Sequence, residues 1–170
     1  GRSLRVACAS CAAIALVGHI DYQPFEPVHH WEFYHYFVAT KYFPELGYSG
    51  LYDATVVADH EDDPAAYDPG LTVRSLQTYE IVTRGAIMER AEAIKARFPP
   101  NRWAAFKRDI AFFRDAAPER WRASQIQMDH GYNGSPLVTA VLGTLARQPF
   151  VPTPIFVAIA AWLDIALVIL

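Results

Sequence analysis

Charged side chains and cysteines are scarce in this 170-residue sequence, and each shortage excludes a class of protein. Charged residues make up 19% of the chain and its net charge is −3, whereas ordinary soluble domains are about 25% charged. Nucleic-acid-binding domains are usually strongly basic, so we expect no nucleic-acid partner. The two cysteines, Cys8 and Cys11, lie in one apolar segment near the start, which leaves none for a disulfide in the middle of the chain.

The sequence also lacks the short motifs that identify many enzyme classes. It contains no glycine-rich phosphate loop, no nucleophile elbow and no His-Glu-x-x-His zinc motif. What it has instead is apolar residues, which make up 52% of the chain and include four Trp, nine Tyr and ten Phe. This composition excludes a disordered tail, a coiled coil and a collagen-like repeat.

Much of the apolar excess lies at the two ends of the chain. Residues 6–18 carry no charge, and residues 153–170 carry one, at Asp164. A helix needs about 20 apolar residues to cross a bilayer, whereas a secretory signal has an apolar region of about 7–15. We therefore predict that residues 1–18 are a truncated first membrane helix, with a signal sequence as the alternative. Residues 135–170 are predicted to form a membrane helical hairpin that is truncated at its C-terminus, which would make the chain part of a longer polytopic protein.

The middle of the chain is predicted to be an extracytoplasmic helical domain over residues 19–134. Arg2, Arg5 and Arg147 flank the apolar segments and would face the cytoplasm under the positive-inside rule, which places the middle on the periplasmic side of a membrane. The predicted fold class is therefore mainly α, with membrane helices flanking this domain. Apolar spacing and proline boundaries predict three helices in its second half, over residues 71–98, 101 to about 117, and 119–128.

One acidic cluster offers ligands for a divalent metal. It contains oxygen ligands suited to Mg²⁺, Mn²⁺ or Ca²⁺ and one imidazole: Asp59, His60, Glu61, Asp62 and Asp63. The cluster lacks the glycine and the spacing of a calcium loop, so a solvated turn is the favoured interpretation, and no cofactor is assigned.

Several short motifs, taken in order, resemble those of a known family. An apolar segment is followed at once by Asp21-Tyr22, and later segments contain Leu51-Tyr52-Asp53 and Tyr132-Asn133-Gly134-Ser135-Pro136. This order is similar to the N-terminal part of GT-C-type polytopic membrane glycosyltransferases, particularly mannosyltransferase-like members that use polyprenyl-phosphate sugars. The resemblance covers about residues 5–58 and 129–170. The chain departs from the family in having Ser135-Pro136 where the family prefers two prolines, and in the inserted helices of about residues 60–128.

The resemblance implies a reaction and a set of site residues. Asp21 would be the catalytic base, deprotonating an acceptor hydroxyl that attacks the sugar of a polyprenyl-phosphate donor. Tyr132 and Pro136 would shape the entrance to the site, and Arg120 and Arg122 would bind the phosphate of the donor. The implied partners are the lipid bilayer and the polyprenyl-phosphate sugar.

A non-catalytic function remains the alternative. An aromatic-rich chain with terminal apolar helices also fits an accessory or structural subunit of a larger membrane complex, for example a photosynthetic or respiratory one. Its terminal helices would then contact other membrane subunits. The two hypotheses differ in their predictions for Asp21, which only the enzyme needs.

Overall fold

A computed structural model describes residues 30–148 and 153–155. The chain divides into two compact units, one comprising His30–Pro149 and the other Gly1–His29 with Phe150–Leu170. Helices dominate the first unit. In chain order its helices and strands are α1 (His30–Phe33), a π-helical turn (Tyr34–Val38), α2 (Ala39–Lys41), α3 (Phe43–Leu46), α4 (Leu51–Asp62), β1 (Thr72–Arg74), β2 (Ile81–Thr83), α5 (Arg84–Met88), α6 (Ala91–Lys95), α7 (Pro100–Ala116), α8 (Pro118–Arg122), a 3₁₀ turn (Ile126–Met128) and α9 (Pro136–Ala146).

The predicted membrane architecture is wrong. Within residues 30–148 and 153–155, no helix combines the length and the apolar character that a bilayer crossing requires. Helix α9, at the start of the predicted hairpin, has 11 residues, whereas a span needs about 20. This finding overturns the fold class with flanking membrane helices and the membrane location derived from it. The first predicted segment, residues 1–18, and the last part of the predicted hairpin, residues 156–170, lie outside the described residues.

Helix α4 is the centre of the described unit. Most of its side chains are buried, from Leu51 and Tyr52 through to Asp59, and they point in all directions around the helix axis. A helix that is buried on all sides must be surrounded by other elements, and α4 packs against α5, α6 and α7. Polar side chains collect at its C-terminal end, where the helix leaves the core.

Helix α7 covers one side of α4 with a single apolar face. Trp103, Phe106, Ile110 and Phe113 recur at helical spacing and are buried, with Asp109 among them. Helix α7 confirms the predicted second helix. It was predictable because Pro99-Pro100 marks its start and because its apolar spacing is a local signal. The first residue of the helix is Pro100 rather than the residue after Asn101, as expected for a residue that needs no N–H partner there.

The predicted single helix over residues 71–98 is wrong. The structure has an antiparallel pair of three-residue strands, in which Val73 faces Val82, followed by the short helices α5 and α6. The turn between the strands places Tyr79 at a φ of 62°, a left-handed conformation that a helix cannot contain. The predicted third helix, over residues 119–128, is also broken after Arg122, where Ser124 has a φ of 54°.

The core is unusually rich in hydrogen-bonded tyrosines. The hydroxyl of Tyr34 pairs with Thr55 Oγ1 at 2.9 Å, and the hydroxyl of Tyr42 donates to Asp109 Oδ2 at 2.8 Å. Both rings are fully buried, and a hydrogen-bond partner for the hydroxyl is the usual condition for burying a tyrosine. The aromatic content noted in the sequence is therefore largely core packing.

Helix α9 lies against α2 through a glycine. A Cβ atom added at Gly143 would come within 2.7 Å of the carbonyl oxygen of Thr40, so the two backbones approach closely only because the side chain is absent. The face of α9 formed by Leu137, Val141 and Leu145 is exposed.

Candidate functional site

A cavity of about 480 Å³ lies at the C-terminal end of α4. Its wall is formed by the end of α4, the segment that follows α4, the start of α5, the end of α7 and much of α8. Its lining residues are Asp59, Asp62, Asp63, Ala66, Tyr67, Arg84, Arg114, Asp115, Pro118, Trp121 and Arg122. Its volume is within the range of roughly 300–1,000 Å³ that is common for small-molecule sites.

Local sequence fixes the helices that present these side chains. Thr83 is the N-cap of α5, where its Oγ1 accepts the Ala86 N–H at 3.3 Å, and this cap places Arg84 at the first helical position. Pro118 is the first residue of α8, a position where its missing N–H leaves no helical hydrogen bond unmade. Helix α8 brings Trp121 and Arg122 to the cavity.

Asp59 is the buried carboxylate of the site. Its Oδ2 accepts the Trp121 indole N–H at 2.6 Å, and its Oδ1 accepts Arg114 Nη1 at 3.3 Å. Burial raises the pKa of Asp59 to about 6, although the Trp121 hydrogen bond and the charges of Arg84 and Arg114 act in the opposite direction. Such a carboxyl is mostly ionised at neutral pH and is a stronger base than an exposed aspartate.

The arginines of the cavity differ in how they are paired. Arg114 lies within 4.0 Å of three carboxylates, those of Asp59, Asp62 and Asp115. Arg84 and Arg122 have no carboxylate within that distance in the described part of the chain. Arg114 therefore has more carboxylates around it than its single charge balances, and the charge of Arg84 also acts on Asp59. With four aspartates and three arginines, the cavity lining has no excess positive charge.

Two buried donors in the wall lack hydrogen-bond partners among the described residues. Arg84 is 5% exposed; its Nη2 donates to Ser124 Oγ at 2.9 Å, but its Nε–H has no acceptor. The hydroxyl of Tyr67 is also buried without a partner, and burial raises its pKa. Because most buried polar groups in proteins are hydrogen-bonded, two exceptions in one wall call for an explanation.

The residues predicted from the sequence to form a sugar-transfer site have different surroundings in the structure. Asp21, the predicted base, lies outside the described residues, and its role stays a prediction. Tyr132 is buried, with its hydroxyl 2.6 Å from Thr139 Oγ1 and its ring stacked on Tyr48. Pro136 is exposed at the first position of α9. Neither Tyr132 nor Pro136 lines the cavity.

The two predicted phosphate-binding arginines have different surroundings. Arg122 lines the cavity. Arg120 does not, and its guanidinium lies 5.9 Å from the centroid of the Trp31 ring. Both side chains are exposed on the same short helix, so they form a natural pair for comparison.

The acidic cluster at the end of α4 forms ion pairs in place of a metal site. Among the described residues, no group of three or more acidic, histidine or cysteine side chains has the geometry to hold a metal ion. Glu61 is bound by Lys95 at 2.6 Å and by Lys107 at 3.3 Å, and Asp62 is 3.4 Å from Lys107. His60 packs against the ring of Tyr67.

No protein-family model, curated protein or solved structure matches this chain. The geometry of the cavity is therefore the main evidence on its function.

Sequence reasoning missed most of this site. Arg84, Arg114, Trp121 and Tyr67 belong to no local motif, and each has an ordinary role when seen alone. Asp59, Asp62 and Asp63 were predicted only as weak metal ligands, and Arg122 as a phosphate ligand. No single-sequence signal joins positions that come from five different segments of the chain.

Proposed function

We propose that this chain is an enzyme that transfers a sugar from a phosphate-linked donor, with the cavity as its binding site and Asp59 as its general base. The observation that carries the proposal is that one cavity contains the buried carboxylate of Asp59 together with the side chains of Arg84, Arg114 and Arg122. A base for the acceptor hydroxyl and cations for the departing phosphate are the two groups that this reaction needs.

The proposed step moves one proton and exchanges one bond. A hydroxyl of the acceptor gives its proton to the Asp59 carboxylate, while its oxygen forms a bond to the anomeric carbon of the sugar. The bond between that carbon and the phosphate oxygen breaks, and its electron pair leaves with the phosphate. The arginines of the cavity stabilise the negative charge that grows on the leaving oxygen.

The environment of Asp59 suits this role. A general base works best when its pKa lies near the working pH, because it is then both ionised and basic. The pKa of Asp59, raised to about 6 by burial, meets this condition. The Trp121 indole fixes the orientation of the carboxylate through the 2.6 Å hydrogen bond to Oδ2.

The sequence resemblance supports the same reaction type and names the polyprenyl-phosphate sugars as the donor class. It assigns the base to Asp21, whereas the cavity favours Asp59. The two assignments can be separated by experiment because they predict opposite outcomes for the same two variants.

The test measures sugar release from a radiolabelled mannosyl polyprenyl phosphate by the full chain, with a mixture of sugar acceptors. We expect Asp59→Asn to lower the rate at least 100-fold, the smallest effect typical of losing a general base. Glu89→Gln, which changes an exposed carboxylate at the end of α5, should leave the rate unchanged. Full activity in Asp59→Asn together with none in Asp21→Asn would transfer the role to Asp21. No release by the wild-type chain would refute the proposed function.

A non-catalytic subunit is the second candidate, and the exposed face of α9 favours it. Leu137, Val141 and Leu145 are 74%, 51% and 52% exposed, and their spacing of four residues puts them on one side of the helix. An exposed apolar stripe is typical of an interaction surface. If this function is correct, Val141→Asp should release the chain from a defined native assembly, as seen by size-exclusion chromatography, while Asp59→Asn should have no effect.

A further inference from the structure

We propose that Asn133 is a site of intramolecular deamidation, at which the backbone nitrogen of Gly134 attacks the side-chain carboxamide and the Tyr36 hydroxyl stabilises the charge that develops on its oxygen. The co-reactant is water. Asn133 lies between the 3₁₀ turn and α9 and does not line the cavity, so this inference is independent of the proposed function.

The local sequence is the first argument. The chain has two asparagines, Asn101 and Asn133, and only Asn133 is followed by a glycine. Asparagine is a thermolabile residue, because the backbone nitrogen of the next residue can close a succinimide ring on its side chain. Glycine at that next position favours ring closure, since it has no Cβ and the greatest conformational freedom.

The availability of the attacking nitrogen is the second argument. Asn133 is exposed in a segment without regular secondary structure, residues 130–135. The N–H of Gly134 has no hydrogen-bond acceptor among the described residues. At Asn101 the corresponding nitrogen is engaged in α7, where the N–H of Arg102 donates to the carbonyl oxygen of Pro99 at 2.9 Å. The two asparagines therefore differ in structure as well as in sequence.

The contact with Tyr36 is the third argument. Its hydroxyl donates to Asn133 Oδ1 at 2.6 Å. Attack on the carboxamide carbon moves negative charge onto this oxygen, and a donor that is already in place there lowers the barrier. The Tyr36 ring packs edge-on against the buried ring of Tyr132, with 5.4 Å between the ring centroids. The donor is thus held in position before the reaction begins.

The proposed reaction replaces an amide by a carboxylate in two steps. The nitrogen of Gly134 forms a bond to Asn133 Cγ, the bond from Cγ to the side-chain nitrogen breaks, and the proton lost by Gly134 leaves with that nitrogen as ammonia. Water then opens the ring: its hydroxyl adds to one of the two carbonyl carbons, and its proton goes to the ring nitrogen. The product is aspartate or isoaspartate, and the net charge changes from −3 by one unit, to −4.

The experiment follows the folded full chain at pH 7 to 9 by isoelectric focusing and by peptide mapping with mass spectrometry. Enzymatic methylation of isoaspartate is an independent measurement of the product. We expect Asn133 to react at least tenfold faster than Asn101 in the same sample, and faster as the pH rises, because the attacking nitrogen must lose its proton. Asn133→Gln should remove the acidic charge variant, since the longer side chain would have to close a larger ring.

A matched pair of variants tests the role of Tyr36. Tyr36→Phe and Tyr48→Phe each remove the hydroxyl of an exposed tyrosine that packs on Tyr132, and only Tyr36 bonds to Asn133. We expect Tyr36→Phe to slow deamidation about fivefold, the typical worth of one hydrogen bond, and Tyr48→Phe to change the rate less than twofold. In urea, where the contact is lost, wild type and both variants should react at the same rate.

Each outcome supports or overturns one part of the inference. Equal rates at Asn133 and Asn101 in the folded chain would overturn the site, and this comparison needs only the wild type. If Tyr36→Phe is folded by circular dichroism and reacts as fast as wild type or faster, the role of Tyr36 is overturned, because the hydrogen bond would then restrain the carboxamide rather than activate it. Slower reaction in Tyr36→Phe alone supports that role, whether or not the chain transfers sugars.

Discussion

The raised pKa of Asp59 predicts how the stability of the fold depends on pH, whatever the function of the protein. We expect the free energy of unfolding of wild type, measured relative to that of Asp59→Asn, to fall as the pH rises from about 4 to 7. Asparagine has nearly the same size and shape as aspartate and cannot ionise. The comparison therefore isolates the titration of one buried carboxyl.

The direction and size of the effect follow from linkage. The carboxyl has a pKa of 3.8 in the unfolded chain and about 6 in the folded one, so the folded state holds its proton more tightly between those values. Folding favours the protonated carboxyl. The resulting contribution to the free energy of unfolding is fully present below pH 3.8 and is lost as the pH rises through 6. The change amounts to about 3 kcal/mol, because each pKa unit corresponds to 1.36 kcal/mol.

The assay is urea unfolding of both proteins at pH values from 4 to 7.5, followed by circular dichroism. A difference between the two proteins is essential because other groups titrate in the same window. His35 is the second residue of the π-helical turn and is buried. Burial lowers its pKa to about 4. Its contribution rises with pH while that of Asp59 falls, so the wild-type curve alone would conceal both.

The interpretation fails if the difference curve is flat within 0.5 kcal/mol or rises with pH. Trp121→Phe supplies an internal check, because it removes the 2.6 Å hydrogen bond that favours the ionised carboxyl. In that variant the fall in the difference curve should move to higher pH. A shift to lower pH would show that the indole does not support the charge of Asp59.

Three further predictions concern other parts of the fold. His35→Gln should remove a stability contribution that is complete above pH 6.5 and lost as the pH falls to about 4, worth about 3 kcal/mol, as measured by urea unfolding across that range. Arg102→Met should lower the free energy of unfolding by about 3 kcal/mol at pH 7, because it leaves the buried carboxylate of Glu45 without a partner. In the wild type this carboxylate accepts hydrogen bonds of 2.6 and 2.9 Å from Arg102. Adding Glu45→Gln to Arg102→Met should restore part of the lost stability, as measured by urea unfolding. Gly131→Ala should lower the thermal midpoint by several degrees, about 1–2 kcal/mol, because Gly131 has a φ of +74° and its new Cβ would lie 2.6 Å from Leu76. An unchanged midpoint would show that this loop adjusts freely.

The parts of the fold that were predictable from the sequence depend on local signals. Helix α7 was located because its apolar face repeats over four turns and Pro99-Pro100 marks its start. The strand pair was missed because three residues are too few to show the alternation of a strand. Its pairing depends on contacts between Val73 and Val82, which the helical spacing of neighbouring apolar residues conceals.

The membrane prediction failed for a different reason. Residues 136–146 are apolar enough to suggest part of a span, but apolar composition alone does not distinguish a span from a helix that packs on a protein. Gly143 and Thr40 show that α9 uses one face for close packing within its own unit. Only the position of a partner element, which a single sequence does not give, separates the two cases.

The candidate site was only partly visible for a similar reason. Asp59, Asp62, Asp63 and Arg122 were predicted from the sequence to have functional roles, but in two unrelated sites, a metal cluster and a phosphate contact. Their common surroundings depend on residues from distant parts of the chain, such as Arg114, which is 55 positions from Asp59. Proximity of this kind is created by folding and leaves no spacing pattern in the sequence.

The charges around the C-terminal end of α4 compensate one another. Carboxylates at the C-terminal end of a helix are unfavourable with respect to the helix dipole, so their presence there requires compensation. Arg114 and Lys107 pair with Asp59 and Asp62, and the charge of the buried Arg84 also lowers the pKa of Asp59. The cavity lining contains four aspartates and three arginines. It therefore carries no excess positive charge, and a ligand that enters the cavity meets acidic and basic side chains together.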